Sequence, residues 1–145
     1  MLIWPGGADR LKAEETTMAS KAKTAARTGI ATTGIDHVVL HVSDLERSIG
    51  FYTGILGLTE HHGGTGYMFL RCGEQVLGLF ETEDGEAVTV GPELNHLAFN
   101  AAPDGYEEVK ATLESHGIEV RGRRGDPRCI YFRDPDGHQL QINVR

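Results

Sequence analysis

Two histidines occupy equivalent positions in two similar halves of this 145-residue sequence. His37 and His96 lie 59 residues apart, and each stands near the start of a β-rich segment. A third polar residue, Gln141, falls in the middle of the last predicted strand. A single strand histidine is seldom a metal ligand, but two at equivalent repeat positions favour that role. Two neutral imidazoles and an amide oxygen can hold a divalent ion with open coordination positions, so we predict a site for Zn²⁺, Mn²⁺, Fe²⁺ or Ni²⁺.

The strand that carries Gln141 follows a tight turn of sequence Asp-Pro-Asp-Gly at residues 134–137. Proline presets the φ angle at the second position of such a turn, and glycine accepts a positive φ without steric cost. After the turn, Leu140 and Ile142 alternate with Gln141 and Asn143. The alternation predicts a sheet with one helix-packed face and one wet, concave face that carries Gln141. A solvent-exposed strand amide is the alternative interpretation.

Length, composition and charge restrict the class of protein. The chain has the length of one domain, with 39% apolar and 24% charged residues, as is typical of a globular protein. The net charge of −7 argues against nucleic acid or an anionic membrane surface as the main partner. No apolar run approaches the roughly 20 residues of a membrane span. The two isolated cysteines, Cys72 and Cys129, are typical of reduced thiols, so a cytoplasmic location is expected.

The order of the predicted elements repeats along the chain. Each half is expected to run β-α-β-β-β, over residues 34–82 and 93–145, and residues 1–33 are predicted to be a disordered or weakly ordered tail. The predicted fold is therefore α+β, with two βαβββ repeats that form one curved, mixed sheet around a cavity and helices outside. Strands are expected at 35–42, 58–62, 66–72, 75–81, 93–100, 118–120, 129–132 and 139–144, helices at 45–56 and 103–115, a turn-rich linker at 82–92, and a basic loop at 121–127.

The same alternation predicts which side chains line the cavity. His41, Asn100 and Cys129 should share the concave face with the three candidate ligands. Arg121 belongs to the one basic cluster of an acidic domain, and it is either part of a solvated loop or a clamp for an anionic substrate. We regard these four residues as candidate substrate contacts, although a buried cysteine such as Cys129 is more often an inert thiol.

Two motifs resemble a known superfamily. Residues 35–45 read I-D-H-V-V-L-H-V-S-D-L, and residues 131–142 read Y-F-R-D-P-D-G-H-Q-L-Q-I. Both are similar to the vicinal-oxygen-chelate superfamily, which includes glyoxalase I, fosfomycin-resistance thiol transferases, bleomycin-resistance proteins and extradiol dioxygenases. The resemblance covers about residues 34–145 and is strongest to the fosfomycin-resistance enzymes. It implies that His37, His96 and Gln141 are the metal ligands, that Tyr131 or Tyr67 orients the substrate, and that the metal binds adjacent substrate oxygens.

The chain departs from the family pattern at several positions. Gln141 stands where the family usually has glutamate, which removes a negative charge and any base function. Gly78 occupies the position at which glyoxalase I has a further acidic ligand, so glyoxalase I itself is disfavoured. The loop at 121–128 lacks the serine-rich potassium loop of the fosfomycin-resistance enzymes. Fosfomycin is therefore disfavoured as the substrate.

Two classes of function follow from these observations. The first is a metal-dependent enzyme that acts on a small, oxygen-rich molecule as a lyase, isomerase, thiol transferase or dioxygenase. The second is a metal-free protein that binds or sequesters a small molecule, as drug-resistance members of the superfamily do. Paired histidines favour the first class, and the missing carboxylate favours the second. A homodimer is expected in either case, because an open sheet from one chain leaves edges and a half-formed cavity.

Overall fold

The computed structural model describes residues 29–30, 32–84, 86–91, 94–102 and 105–144, with only the backbone of 127 and 128. Almost all of the predicted 1–33 tail lies outside these residues. Ile35–Arg145 form one compact unit, which contains every strand and helix described below. In this part of the chain no helix is long and apolar enough to cross a membrane.

The first repeat has the predicted order of elements. Its strands are β1 (His37–Val42), β2 (Thr59–Gly64), β3 (Tyr67–Cys72) and β4 (Gln75–Glu81), and its helix is α1 (Leu45–Gly54). Helix α1 begins where Asp44 caps it, because the Asp44 carboxylate accepts a hydrogen bond from the Arg47 backbone N–H at 2.9 Å. The chain leaves the helix through Gly57, whose φ of 71° suits a residue without Cβ.

The second repeat has the same order. It contains β5 (Leu97–Ala101), α2 (Tyr106–Ser115), β6 (Arg121–Arg123), β7 (Asp126–Arg133) and β8 (Gln139–Val144). His96 lies one residue before β5, whereas it was predicted inside the strand. The helix again ends at a glycine with positive φ, Gly117, as predicted.

One strand of the second repeat was placed wrongly from the sequence. The third-to-last strand was predicted over 118–120, followed by a basic loop over 121–127. The structure instead pairs Arg121 with Tyr131 and Arg123 with Asp126 in an antiparallel hairpin. The hairpin needs only a short turn, because Gly125 adopts a φ of 84°. Arg121 and Arg123 therefore belong to strand β6 and not to a loop.

The α+β class and the two βαβββ repeats are confirmed, and the strands form two mixed sheets. The first sheet has the order β1-β4-β3-β2, and the second has the order β5-β8-β7-β6. The prediction was one continuous sheet through both repeats. The sheets are separate because each repeat pairs its last strand with its own first strand, in parallel: β1 with β4 and β5 with β8. Strands β1 and β5 consequently lie at sheet edges.

Alternation divides each sheet into two faces, as predicted. One face, here called the core face, packs in a single apolar cluster with both helices. The other, here called the open face, carries the candidate site residues. The fully buried members of the core include residues of both repeats: Val42, Tyr52, Leu70, Leu79, Leu113, Ile130 and Leu140.

The predicted Asp-Pro-Asp-Gly turn joins the second repeat to the first through a buried hydrogen bond. Within the turn, the Asp134 Oδ1 atom accepts from the backbone N–H groups of Asp136 and His138, at 3.0 and 2.8 Å. Its Oδ2 atom accepts from the hydroxyl of Tyr52 in helix α1, at 2.8 Å. Tyr52 is fully buried, and burial together with the nearby Asp134 carboxylate raises the pKa of its hydroxyl.

The second carboxylate of the turn makes a further set of contacts with the first repeat. Asp136 Oδ1 accepts from the Ser43 hydroxyl at 2.5 Å, the Ser43 backbone N–H at 3.2 Å and the Arg47 guanidinium at 2.9 Å. Burial alone would raise the pKa of Asp136, but the hydrogen bonds from Ser43 and the charge of Arg47 outweigh it, so the pKa is lowered. The ionised form of Asp136 therefore stabilises the fold.

We expect Tyr52→Phe to destabilise the protein by about 1–3 kcal/mol, because the variant leaves a carboxylate oxygen of Asp134 buried without its donor. The measurement is the free energy of unfolding in urea. Tyr67→Phe is the matched control, since no hydrogen bond of the Tyr67 hydroxyl occurs among the described residues. It should change stability by less than about 0.5 kcal/mol. Equal losses in both variants would contradict the role given to the Tyr52 hydroxyl.

Asp136 should make the free energy of unfolding depend on pH. Its folded pKa lies below the unfolded value of about 3.9, so the unfolded chain binds more protons as the pH falls. Its contribution is thus fully present above about pH 5 and is lost as the pH decreases through the folded pKa. Asp136→Asn should be less stable than the wild type at neutral pH, and this difference should shrink towards pH 3. Urea unfolding of both proteins across this pH range measures it, and a constant difference would contradict the assignment.

Candidate functional site

His37 lies at the first position of β1, on the open face of the first sheet. Its Nδ1 atom is 2.7 Å from the carboxylate of Asp36. An ionised carboxylate only accepts hydrogen bonds, so the proton sits on Nδ1 and the Nε2 lone pair is left for a ligand. The His37 ring meets the ring of Phe69 edge to face, with centroids 5.5 Å apart.

His96 repeats this arrangement next to the second sheet. Its Nδ1 atom lies 2.9 Å from the side-chain oxygen of Asn95, which again places the proton on Nδ1. Its ring meets Tyr131 edge to face, with centroids 5.7 Å apart. In both repeats, therefore, the residue before the histidine orients the imidazole and a ring from the third strand of the sheet supports it.

Gln141 lies in β8 on the open face of the second sheet and is only 6% exposed. Its amide nitrogen donates to the side-chain oxygen of Asn143 at 2.7 Å and to the sulfur of Cys129 at 3.3 Å. Both contacts use the nitrogen. Within the described chain no hydrogen bond occupies the amide oxygen, which is the atom that a metal ion or a bound water would use.

The strand register makes Gly78 and Gln141 structural equivalents. Gly78 pairs with Val39, two residues after His37, and Gln141 pairs with Ala98, two residues after His96. Gly78 was matched to a family ligand position from the sequence, and the pairing agrees with that match. Only the second repeat therefore offers a ligand at this position.

The two candidate tyrosines lie in different sheets. Tyr131, in β7, pairs directly with Gln141 and touches the ring of His96. Tyr67, in β3, stacks on Phe80, with centroids 5.5 Å apart. Tyr131 is thus next to two candidate ligands, whereas Tyr67 belongs to an aromatic cluster around Phe69.

The candidate substrate contacts are also divided between the sheets. His41 is exposed in β1, and Asn100 pairs with Asn143 on the second sheet. Cys129 is 7% exposed. The hydrogen bond from its thiol to the Asp126 carboxylate, and then its burial, raise the pKa of Cys129. These contacts favour the inert thiol that was the alternative interpretation.

Arg121 is exposed and donates two hydrogen bonds to the carboxylate of Glu119, at 3.0 and 3.3 Å. It is also paired across the hairpin with Tyr131. A clamp on an anionic substrate would require Arg121 to exchange its Glu119 partner.

The structure brings together one part of the predicted site. His96, Tyr131, Gln141 and Cys129 form a connected group on the second sheet. In the part of the chain that is described, no contact links His37 to this group. Nor do three or more histidine, cysteine, aspartate or glutamate side chains there form a cluster that could hold a metal ion.

Asp36 and Asn95 were not predicted from the sequence as members of the site. The available signal was their position: each is a short polar residue with a side-chain oxygen, directly before one of the paired histidines, at the same 59-residue offset. Phe69 was also missed, because its role depends on its reach across a neighbouring strand.

Comparison with protein families identifies the chain's relatives. A family model described as the glyoxalase/bleomycin resistance protein/dioxygenase superfamily matches residues 34–142. Glutathione transferase FosA of Serratia marcescens is 32% identical over 112 residues, which are 76% of this chain and 79% of that protein. Metallothiol transferase FosB of Staphylococcus saprophyticus is 33% identical over 116 residues, with 76% of each chain covered.

Solved structures have the same fold. The fosfomycin resistance protein FosX from Listeria monocytogenes superposes with a TM-score of 0.68 over 79% of this chain and 92% of its own, at 24% identity. An integron cassette protein from a sewage-outfall metagenome superposes with a TM-score of 0.63 at 28% identity, over 77% of this chain and 97% of its own. The predicted superfamily and the likeness to fosfomycin-resistance proteins are confirmed. The names of FosA and FosB are those of transferases, which supports the enzyme interpretation.

Proposed function

This chain belongs to the glyoxalase/bleomycin resistance protein/dioxygenase superfamily, and we propose that it is a metal-dependent enzyme acting on a small, oxygen-rich molecule. His37, His96 and Gln141 would hold one divalent ion: Zn²⁺, Mn²⁺, Fe²⁺ or Ni²⁺. A structure of FosX from Listeria monocytogenes, which is 22% identical to this chain, is a complex with Mn(II), so a protein of this fold holds a divalent ion.

The observation that carries this proposal is the matched orientation of the two histidines. Each imidazole donates a hydrogen bond from Nδ1 to the side chain of the residue before it, and among the described residues no hydrogen bond occupies either Nε2 atom. Such a partner on the second ring nitrogen is the usual companion of a metal-bound histidine, since it fixes the tautomer and raises the basicity of the ligand atom. The unpaired amide oxygen of Gln141 supplies a third neutral donor.

The roles of the residues follow from their contacts. A bound divalent ion would act as a Lewis acid that stabilises negative charge developing on substrate oxygens. Tyr131, beside His96 and Gln141, would donate a hydrogen bond to the same substrate. Gln141 cannot accept a proton as a base, and the hydrogen-bonded Cys129 thiol stays protonated at neutral pH. Neither Gln141 nor Cys129 would therefore supply a base or a nucleophile.

A homodimer would complete the site. His37 lies on the first sheet, and the other two candidate ligands belong to the second. Each sheet ends at an unpaired edge strand, β1 or β5, next to its histidine. Exposed edges of this kind favour pairing with another chain. We infer that the first sheet of one copy and the second sheet of another contribute to each metal site.

Metal titration tests the proposed ligands. Isothermal titration with each of the four ions should show binding to the wild type and none to His37→Ala or His96→Ala. Gln141→Glu should bind more tightly by about 1–3 kcal/mol, because a charged oxygen replaces a neutral one. Asn95→Ala should weaken binding by roughly 10-fold through the loss of histidine orientation.

His61→Ala is the control for the titration, since His61 is exposed on β2 and contacts Arg71 and His62, neither of which is a candidate ligand. Its affinity should equal that of the wild type. If no ion binds the wild type and Gln141→Glu restores no binding, the chain is a metal-free binding protein.

Assembly is tested by sedimentation velocity at micromolar concentration, where we expect the wild type to be a dimer. Val39→Lys should shift the protein towards monomer, because Val39 is 38% exposed on edge strand β1 and a lysine there opposes edge pairing. Val90→Lys, at an equally exposed valine outside the strands, is the control and should leave the dimer unchanged. A wild-type monomer, or a dimer unchanged by Val39→Lys, would contradict the inferred arrangement.

A further inference from the structure

A cleft of about 610 Å³ lies at one end of the second sheet, between the end of helix α2 and strand β7. Its volume is in the range of small-molecule sites in proteins. Among the described residues that line it, none is a candidate metal ligand. We propose that this space, here called the edge cleft, binds a small molecule that has an aliphatic chain and one carboxylate. The lining residues on which the proposal depends are Phe51, Ile55, Ile118, Glu119, Phe132 and Arg133.

The edge cleft exists because the second sheet is open where the first sheet is closed. In the first sheet, the pairing of β2 with β3 starts with Thr59 opposite Arg71. In the second sheet, residues 118–120 are not part of a strand, and the pairing of β6 with β7 starts only at Arg121, opposite Tyr131. Within the described chain, the last residues of β7 therefore have no neighbouring strand on this side, and the cleft occupies the gap.

Arg133 is the counterpart of Arg71 in the second repeat. Each lies two residues after the strand partner of Gly78 or Gln141. Arg133 is exposed, and its Nη1 atom donates a hydrogen bond to the carbonyl oxygen of Gly137 at 2.5 Å. In the part of the chain that is described, its other two nitrogens have no hydrogen bond and no carboxylate partner. The guanidinium thus keeps the donors with which arginine binds an anionic oxygen.

The edge cleft has an apolar wall next to this guanidinium. Phe51 of α1 and Phe132 of β7 are 8% and 3% exposed, and their ring centroids lie 6.5 Å apart. Ile55 and Ile118 are half-buried and extend the wall towards solvent. An aliphatic chain along these side chains would remove apolar surface from water on both partners.

The acidic groups of the edge cleft favour a ligand with a single negative charge. Hydrogen bonds from Arg121, and then its charge, lower the pKa of Glu119, so Glu119 is ionised and its charge is already compensated. Asp134 also lines the cleft, with its carboxylate bonded to Tyr52 and to backbone N–H groups. One guanidinium without a partner can compensate one carboxylate, whereas a phosphate dianion would be repelled more strongly by both acidic groups.

Isothermal titration with octanoate, octanol and octyl phosphate tests the proposal. The three probes have the same alkyl chain and differ in the charge of the head group. Each is titrated into the metal-free wild type, Arg133→Gln, Ile118→Trp and the control Arg71→Gln, which makes the same change at the equivalent position of the first sheet. Unfolding midpoints establish that each variant is folded.

We expect octanoate to bind the wild type and Arg71→Gln equally, and more tightly than the other two probes bind. Arg133→Gln should weaken octanoate binding by about 5-fold, the value of one exposed ion pair, and should leave octanol binding unchanged. Ile118→Trp should weaken the binding of all three probes by roughly 10-fold, because the larger side chain would displace about two methylenes from the wall. The proteins are metal-free, so the result does not depend on the proposed metal site.

Three results would overturn the proposal. The first is that octanoate does not bind the wild type, or binds it and both cleft variants with the same affinity. The second is that octyl phosphate binds more tightly than octanoate, since the ligand would then be a dianion. The third is dissociation of the wild-type dimer by Ile118→Trp with unchanged octanoate affinity, because the edge cleft would then be a contact between subunits.

Discussion

The hydrogen bond between Tyr52 and Asp134 is the contact on which the arrangement of the two repeats depends. Each repeat forms its own sheet, so hydrogen bonds between strands do not join the two. Besides the shared apolar core, side chains of one turn join the repeats: Asp134 accepts from a fully buried tyrosine of α1, and Asp136 accepts from the start of the same helix. His138 adds a third link, since its Nε2 lies 2.7 Å from the carbonyl oxygen of His41. Because Tyr52 and Asp134 are buried, the loss of either side chain leaves a polar atom of the other without a hydrogen bond.

The same scaffold supports two different faces. In each repeat a histidine at the start of the first strand has a hydrogen-bonding residue before it and a ring from the third strand beside it. The repeats differ in the residue between the histidine and that ring, which is Gly78 in one and Gln141 in the other. Because Gly78 has no side chain, the Phe69 ring lies over it, whereas in the second sheet the side chain of Gln141 occupies the equivalent space. This difference at an equivalent position contributes to an aromatic first face and a polar second face.

The sequence predicted the parts of this structure that follow from local patterns. Strand alternation assigned Leu140 and Gln141 to opposite faces, and glycines at 57 and 117 marked the helix ends. The pairing of Arg121 with Tyr131 was missed because charged residues around two glycines are equally compatible with a loop. The bond from Tyr52 to Asp134 was missed for a different reason. It joins residues 82 positions apart, and the apolar spacing that placed Tyr52 in the core contains no information about its hydroxyl. The separation of the sheets likewise depends on which partner β1 and β5 choose, and alternation within a strand does not specify the partner.

The choice of glutamine at position 141 has a consequence for the charge of the proposed site. Two neutral imidazoles and an amide leave the full double charge of a divalent ion uncompensated by its ligands. The acidic groups nearby do not change this: Asp36 interacts with the outer nitrogen of His37, and Asp126 with the thiol of Cys129. A glutamate at 141 would neutralise part of the charge before any substrate arrived. With glutamine, that charge is left for the oxygens of the substrate, so an anionic chelating ligand gains more from binding here than at a carboxylate-bearing site. The missing negative charge at position 141 would therefore both weaken the binding of the metal ion and strengthen the binding of an anionic oxygen donor to it.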